Sequence, residues 1–214
     1  MMASLPSHGF VATGNAGKLR EILPMIREHL GSELRAEGRA AREAEETASD
    51  FIGNARIKAQ ALALELLSEG GESFWVLADD SGLEVDALGG APGVHSARYA
   101  GVGAGSEANL RKLLTEVAKL GVAPENCSAR YRCALILLVK HPGQPLAEAS
   151  GLGACEGFIG RDPRGDAGFG YDPVFLIPDR SRTFAELSYE EKNKASHRRR
   201  AFEALKKDLT RIST

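Results

Sequence analysis

The chain has 214 residues, enough for one large domain or for two lobes around one sheet, and its 43% hydrophobic and 26% charged residues match a folded globular protein, not a membrane or disordered one. A net charge of −2 supplies no global positive field for a polyanion such as DNA, so any phosphate binding must be local. Cys127, Cys133 and Cys155, with no C-x-x-C pair, argue against a disulfide framework or a zinc site and toward a reducing cytoplasm. Residues 1–8 lack the basic start and apolar run of a secretory signal, and no apolar stretch reaches the roughly 20 residues that span a bilayer.

Residues 9–13 read as a short buried strand, 14–17 as a turn, and 18–30 as a helix with Leu19, Ile22, Leu23 and Ile26 on one face. A strand is placed near residues 33–39. Ser49 is the expected N-cap of a second helix over residues 50–67, which Gly70 and Gly71 terminate. The apolar run 75–78 enters Asp79-Asp80-Ser81-Gly82, so the paired aspartates are expected where a strand ends, before an alternating strand over 83–88. Loops follow at 89–93 and 101–105, then a helix capped by Ser106 and running to Leu120. Strands over 131–139, 146–153 and 156–161 suggest an antiparallel meander, and 162–170 is a loop rich in glycine and charge. A short strand over 173–177 precedes a basic C-terminal helix reaching Ile212, whose start carries the capping box of Ser188 and Glu191. No repeat or long linker divides the chain, so residues 1–214 are read as a single domain.

Thr13-Gly14-Asn15-Ala16-Gly17-Lys18 joins a strand to a helix, where backbone amides and the helix N-terminus can cradle phosphate and Lys18 adds full charge. It is not a P-loop, because Ala12 and Leu19 stand where that pattern needs glycine and Ser or Thr. An ordinary glycine turn is the plainer reading. Asp79 and Asp80 would point to opposite faces if strand geometry persists there. Their hard oxygens suit Mg²⁺ shared with substrate phosphates, and a carboxylate can deprotonate an attacking water; an Asp-Ser-Gly hairpin turn is the alternative.

Glu45 and Glu46 precede the second helix and either could complete a metal shell, although a charged stretch such as 42–46 is more often a solvated surface. In Phe169-Gly170-Tyr171-Asp172-Pro173 an aromatic beside a glycine offers a flat base a ring to stack on, or simply plugs a loop. Lys192, His197 and Arg198 lie in a basic run. On one continuous helix Lys192 and His197 would be about 140° apart. Their convergence on one ligand therefore requires a break near residues 193–196, with Ser196 capping a new helix.

Taken together, several segments resemble the inosine/xanthosine triphosphate pyrophosphatase family: the 13–18 loop, Glu46-Thr47 with Phe51 and Asn54-Ala55, Ala78-Asp79-Asp80-Ser81-Gly82-Leu83, Gly90-Ala91-Pro92-Gly93-Val94, Ser96-Ala97-Arg98-Tyr99, Gly168 to Pro173, and Lys192 with Ser196-His197-Arg198. These segments run in order over nearly the whole chain. The resemblance implies an α/β fold with a long mixed β-sheet flanked by helices, two lobes with a nucleotide cleft between them, and a homodimer. It implies hydrolysis of dITP, ITP and XTP to monophosphate and pyrophosphate, with no nucleic acid polymer and no membrane as partner.

By resemblance, Thr13, Gly14, Asn15, Ala16, Gly17 and Lys18 hold the triphosphate, with Lys58 and Asp79 in support. Glu46 and Asp80, with Asp79 counted beside them, hold Mg²⁺, and Asp80 is the proton acceptor. Ser81, Phe169, Gly170, Tyr171, Asp172, Lys192, His197 and Arg198 match nucleotide-contacting positions, Phe169 stacking on the base and His197-Arg198 reading its 6-oxo edge. A donor aimed at that oxygen would meet another donor in adenine. The chain departs from the family at Ala48, where glycine is usual, at Gly53, where an acid is usual and Asp50 could compensate, and at His95, where an aromatic is usual. The rival enzyme is a Maf-like pyrophosphatase acting on methylated or pyrimidine nucleotides, and the rival of another class is a catalytically silent nucleotide sensor.

Overall fold

The computed structural model describes residues 5–42, 44–121, 127–179 and 181–212. These form β1 (His8–Val11), α1 (Ala16–His29), β2 (Arg35–Gly38), α2 (Phe51–Ser68), β3 (Phe74–Val85), α3 (Gly105–Lys119), β4 (Ser128–Lys140), β5 (Ala147–Ile159), β6 (Phe175–Leu176), α4 (Tyr189–Ala195) and α5 (His197–Ile212). The strands make one six-stranded sheet in the order β2-β1-β3-β4-β5-β6. Pairing is parallel for β1 with β2 and with β3, and antiparallel for β5 with β6, so the sheet is mixed, as expected.

The chain divides into two compact units, the first comprising residues 1–80, 133–153 and 198–214 and the second residues 81–132 and 154–197. In the first unit the strand period of two sorts side chains onto two cores. Trp75 and Leu77 of β3 and Cys133, Leu135, Leu137 and Val139 of β4 pack with Ile22, Met25 and Ile26 of α1 and Ala201, Phe202 and Leu205 of α5. The alternate residues, Phe74, Val76, Ala78, Ala134, Ile136 and Leu138, pack with Ala55, Ala59, Leu62, Ala63 and Leu66 of α2. The first unit is therefore a sheet with helices on both faces. Gly9 admits Trp75 to the core, since a Cβ there would lie 2.0 Å from the indole. The second unit is built on Leu83, Val85, Leu110, Leu113, Tyr131, Phe175 and Phe184, with three aromatic rings in mutual contact.

Several boundaries differ from the sequence reading for identifiable reasons. The segments on either side of Asp79-Asp80 are one twelve-residue strand, and those on either side of residues 154–155 are one thirteen-residue strand, because both long strands continue from the first unit into the second. The aspartates thus lie inside β3, not at its end, and the hairpin-turn alternative does not apply. Asp50, not Ser49, caps α2 by accepting the Gly53 amide at 2.7 Å. Helix α3 begins at Gly105 after Ala104, so Ser106 falls inside its first turn and caps nothing. Ser188 and Glu191 do form the capping box, and the basic helix breaks at Ser196, which has the extended backbone of a helix-flanking residue.

Candidate active site

The loop at residues 13–18 leads into α1. Asn15 caps that helix by accepting the Lys18 amide at 3.1 Å, while its own amide donates to Thr13 Oγ1 at 3.1 Å. Gly14, Asn15 and Ala16 are exposed, which leaves the positive end of the helix open to an anion. Lys18 lies on the first turn and reaches back to β3, with its ammonium 2.6 Å from Asp79 Oδ1.

Residues 79 and 80 serve opposite faces of β3, following the parity of the strand. Asp79 is fully buried on the α1 and α5 side, where Oδ2 accepts from Arg198 Nε at 3.1 Å and from the Cys133 thiol at 3.1 Å. Arg198 in turn reaches Glu21 Oε2 through Nη1 at 2.5 Å. Burial on its own raises a carboxyl, but Lys18 and Arg198 outweigh it and hold Asp79 well below the usual carboxylate range. Burial and the neighbouring Asp79 charge push Cys133 the other way, so it remains a thiol and a donor.

Asp80 is on the α2 side. Its Oδ1 accepts from Lys58 at 2.7 Å, and the same ammonium donates to Glu46 Oε1 at 3.0 Å. Asp80 Oδ2 is buried with no hydrogen-bond partner among the described residues. Burial raises the Asp80 carboxyl above its ordinary value, with Lys58 only partly opposing, which favours a proton acceptor. Burial would lower the Lys58 ammonium, but Asp80 and Glu46 more than offset it and keep the group charged.

In the second unit Asp172 is a hub. It accepts from Lys192 Nζ at 2.5 Å, from the Phe169 amide at 2.8 Å and from the Tyr131 hydroxyl at 3.1 Å. The Tyr171 hydroxyl donates to the Ser96 carbonyl at 2.8 Å, and both Tyr171 and Asp172 are buried. Phe169 and Gly170 remain partly exposed, and Gly170 has φ +66°, a conformation that favours glycine. Lys192 Nζ sits 5.0 Å from the Phe169 ring centre. His197 is buried and stacked on Tyr131, with ring centres 4.8 Å apart. Ser81 is half-buried.

Two of the expected residues have protein partners that sequence alone did not suggest. Asp79, expected among the metal ligands, has both oxygens engaged by Lys18, Arg198 and Cys133. Arg198, expected on the base edge, is 2% exposed, with its guanidinium between Asp79 and Glu21 in the first unit. A residue chain of alternating charge explains both, since a buried cation needs carboxylates around it. Glu21 and Cys133 were not singled out from sequence, yet Glu21 is detectable as an acid within the apolar stripe of Ile22, Met25 and Ile26.

Fold and site together define the class: an α/β protein with an anion-accepting helix N-terminus beside two carboxylates that converge on one cation. Within that class the chain belongs to the Ham1 family, whose family model matches residues 10–208. A Bacillus licheniformis protein named dITP/XTP pyrophosphatase is 49% identical over 199 residues, covering 92% of this chain and 93% of its own. A Geobacillus kaustophilus protein of the same name is 46% identical over 197 residues, covering 91% and 90%. Among solved structures, a HAM1 protein from Coxiella burnetii is similar with a TM-score of 0.76 and 37% identity, covering 95% of this chain and 98% of that one.

Proposed function

We propose that the chain hydrolyses non-canonical purine nucleoside triphosphates, dITP, ITP and XTP, to the monophosphate and pyrophosphate. The observation that carries this reading is the convergence of Glu46 and Asp80 on the Lys58 ammonium, with Asp80 Oδ2 buried and unpartnered beside them. An ammonium held by two carboxylates marks a place built for positive charge. A hard cation such as Mg²⁺ suits it, because Mg²⁺ is commonly bound by one or two carboxylates and completed by water and substrate phosphate. Among the described residues no group of three or more acids, histidines or cysteines forms an all-protein cage, in keeping with a shared site.

Mg²⁺ bound by Glu46 and Asp80 would neutralise charge developing on the phosphates. The amides of Gly14, Ala16 and Gly17 and the Lys18 ammonium hold the triphosphate, and Asp79 fixes Lys18. Asp80 accepts the proton of a water that attacks the α-phosphorus; the bond between the α-phosphorus and the bridging oxygen breaks and pyrophosphate leaves. In the second unit, Phe169 and Gly170 offer a ring and close backbone approach to a base, with Lys192 and His197 as donors and Asp172 holding Phe169 and Lys192 in place. Arg198 follows His197 toward the 6-oxo edge of the base and also braces Asp79. The 214 residues work as one pyrophosphatase domain, as a homodimer in the cytoplasm. No helix among the described residues is long and apolar enough to cross a membrane.

The test is pyrophosphate release from ITP, XTP, dITP, ATP, GTP and a pyrimidine triphosphate, each with and without Mg²⁺. Fast release confined to the hypoxanthine and xanthine nucleotides and dependent on Mg²⁺ is expected. Release mainly from the pyrimidine nucleotide would transfer the assignment to a Maf-like activity. Binding without release would make the chain a nucleotide sensor.

A further inference from the structure

Glu46 lies in an irregular segment before α2, and contacts from Asn54 and Lys58 seat residues 46–48 on the helix. Asn54 is completely buried, and its Oδ1 accepts the Ala48 amide at 2.9 Å. Its Nδ2 is buried with no hydrogen-bond partner among the described residues. Beside it, a Cβ at Gly53 would lie 2.5 Å from the Ala48 Cβ and 2.8 Å from Asp50 Oδ1. A methyl at 48 and none at 53 are therefore one fit.

Asn54 and Lys58 are four residues apart on α2 and share a face. The segment is tied to that face at Ala48 by Asn54 and at Glu46 by Lys58, which also holds Asp80. An apolar residue at 54 would avoid burying an unpaired donor, so the acceptor at Oδ1 is what the position supplies.

We propose that Asn54 is a positioning residue for the cation site: by fixing the backbone at Ala48, two residues beyond Glu46, it sets where the Glu46 carboxylate stands relative to Asp80. The proposal rests on the metal-dependent reading above and extends it to a residue that touches neither phosphate nor cation.

The experiment measures Mn²⁺ binding to the full chain by the electron paramagnetic resonance of free Mn²⁺, with folding checked by circular dichroism. Variants are Asn54→Ala, Glu46→Gln, their double mutant, Gly53→Ala, and Gly53→Ala combined with Ala48→Gly. Asn54→Ala should weaken Mn²⁺ binding by about 10- to 100-fold, the range for groups that orient metal ligands. In the Glu46→Gln background the same change should add nothing, because its effect passes through Glu46. Gly53→Ala should weaken binding, and Ala48→Gly, which removes the closer of the two contacts, should restore it in part. Wild-type affinity in Asn54→Ala, or an undiminished effect in the Glu46→Gln background, would overturn the proposal alone. If Asn54→Ala does not fold, unchanged binding in Gly53→Ala overturns it instead. A wild-type chain that binds no Mn²⁺ overturns the metal reading and the proposal with it.

Discussion

Asp79 and Asp80 are chemically identical neighbours with opposite duties, and the alternation of β3 separates them. Asp79 compensates two buried cations, Lys18 and Arg198. Removing its charge leaves both uncompensated, which costs about 3–5 kcal/mol. Asp79→Asn should therefore lower the melting temperature by about 10 °C, since about 1 kcal/mol shifts a chain of this size by about 2–4 °C. Asp80 is burdened by desolvation and accepts from Lys58, which keeps Glu46 as a partner. Asp80→Asn should leave the melting temperature within a few degrees and abolish pyrophosphate release. Thermal unfolding and a turnover assay on the two variants check this reversal; a large stability loss in Asp80→Asn with turnover intact would reverse the assignment.

Helix α5 packs on β5 with almost no clearance. A Cβ at Gly151 would lie 2.1 Å from the Ala201 carbonyl oxygen and 2.6 Å from the Leu205 nitrogen, both backbone atoms of α5. Neither can swing aside as a side chain would, so Gly151→Ala forces the helix to shift. Overpacking of this kind costs about 1–3 kcal/mol. Faster hydrogen exchange concentrated in α5, with a drop of several degrees in melting temperature, is the expected outcome.

Helix α1 meets α5 through His29, whose ring stacks on Phe202 at 5.7 Å and whose Nε2 is buried without a hydrogen-bond partner. Burial lowers the His29 pKa below its ordinary value; Glu28 and Glu203 oppose the shift, and Arg199 and Lys206 reinforce it. The unfolded chain then binds the proton more readily than the folded one. The stability contribution is complete above the unfolded value of about 6.5 and is lost as pH falls from there through the lower folded value. His29→Phe, which keeps the stack, should flatten the fall in melting temperature between pH 7 and pH 5 relative to wild type.

For the molecule as a whole, a net charge of −2 supplies no global positive field, so any phosphate attraction must be local. Self-association is expected from the family resemblance, and sedimentation at micromolar concentration should give a dimer; monomers at that concentration would refute it. The family, the α/β class and the turn at residues 13–18 that leads into α1 were legible in the sequence, because each depends on local spacing or on short runs of matched residues. The break at Ser196 was legible too, since helical geometry alone requires it for Lys192 and His197 to converge. What the tertiary structure decided was the partnership of charges. Whether Asp79 holds a metal or a lysine, and whether Arg198 meets a base or two carboxylates, depends on which faces of β3, β4, α1 and α5 come together. Those contacts join residues as far apart as Glu21 and Arg198. Desolvation acts on such assembled surroundings, not on the order of residues along the chain, and so it selects the partners only once the core has closed around them.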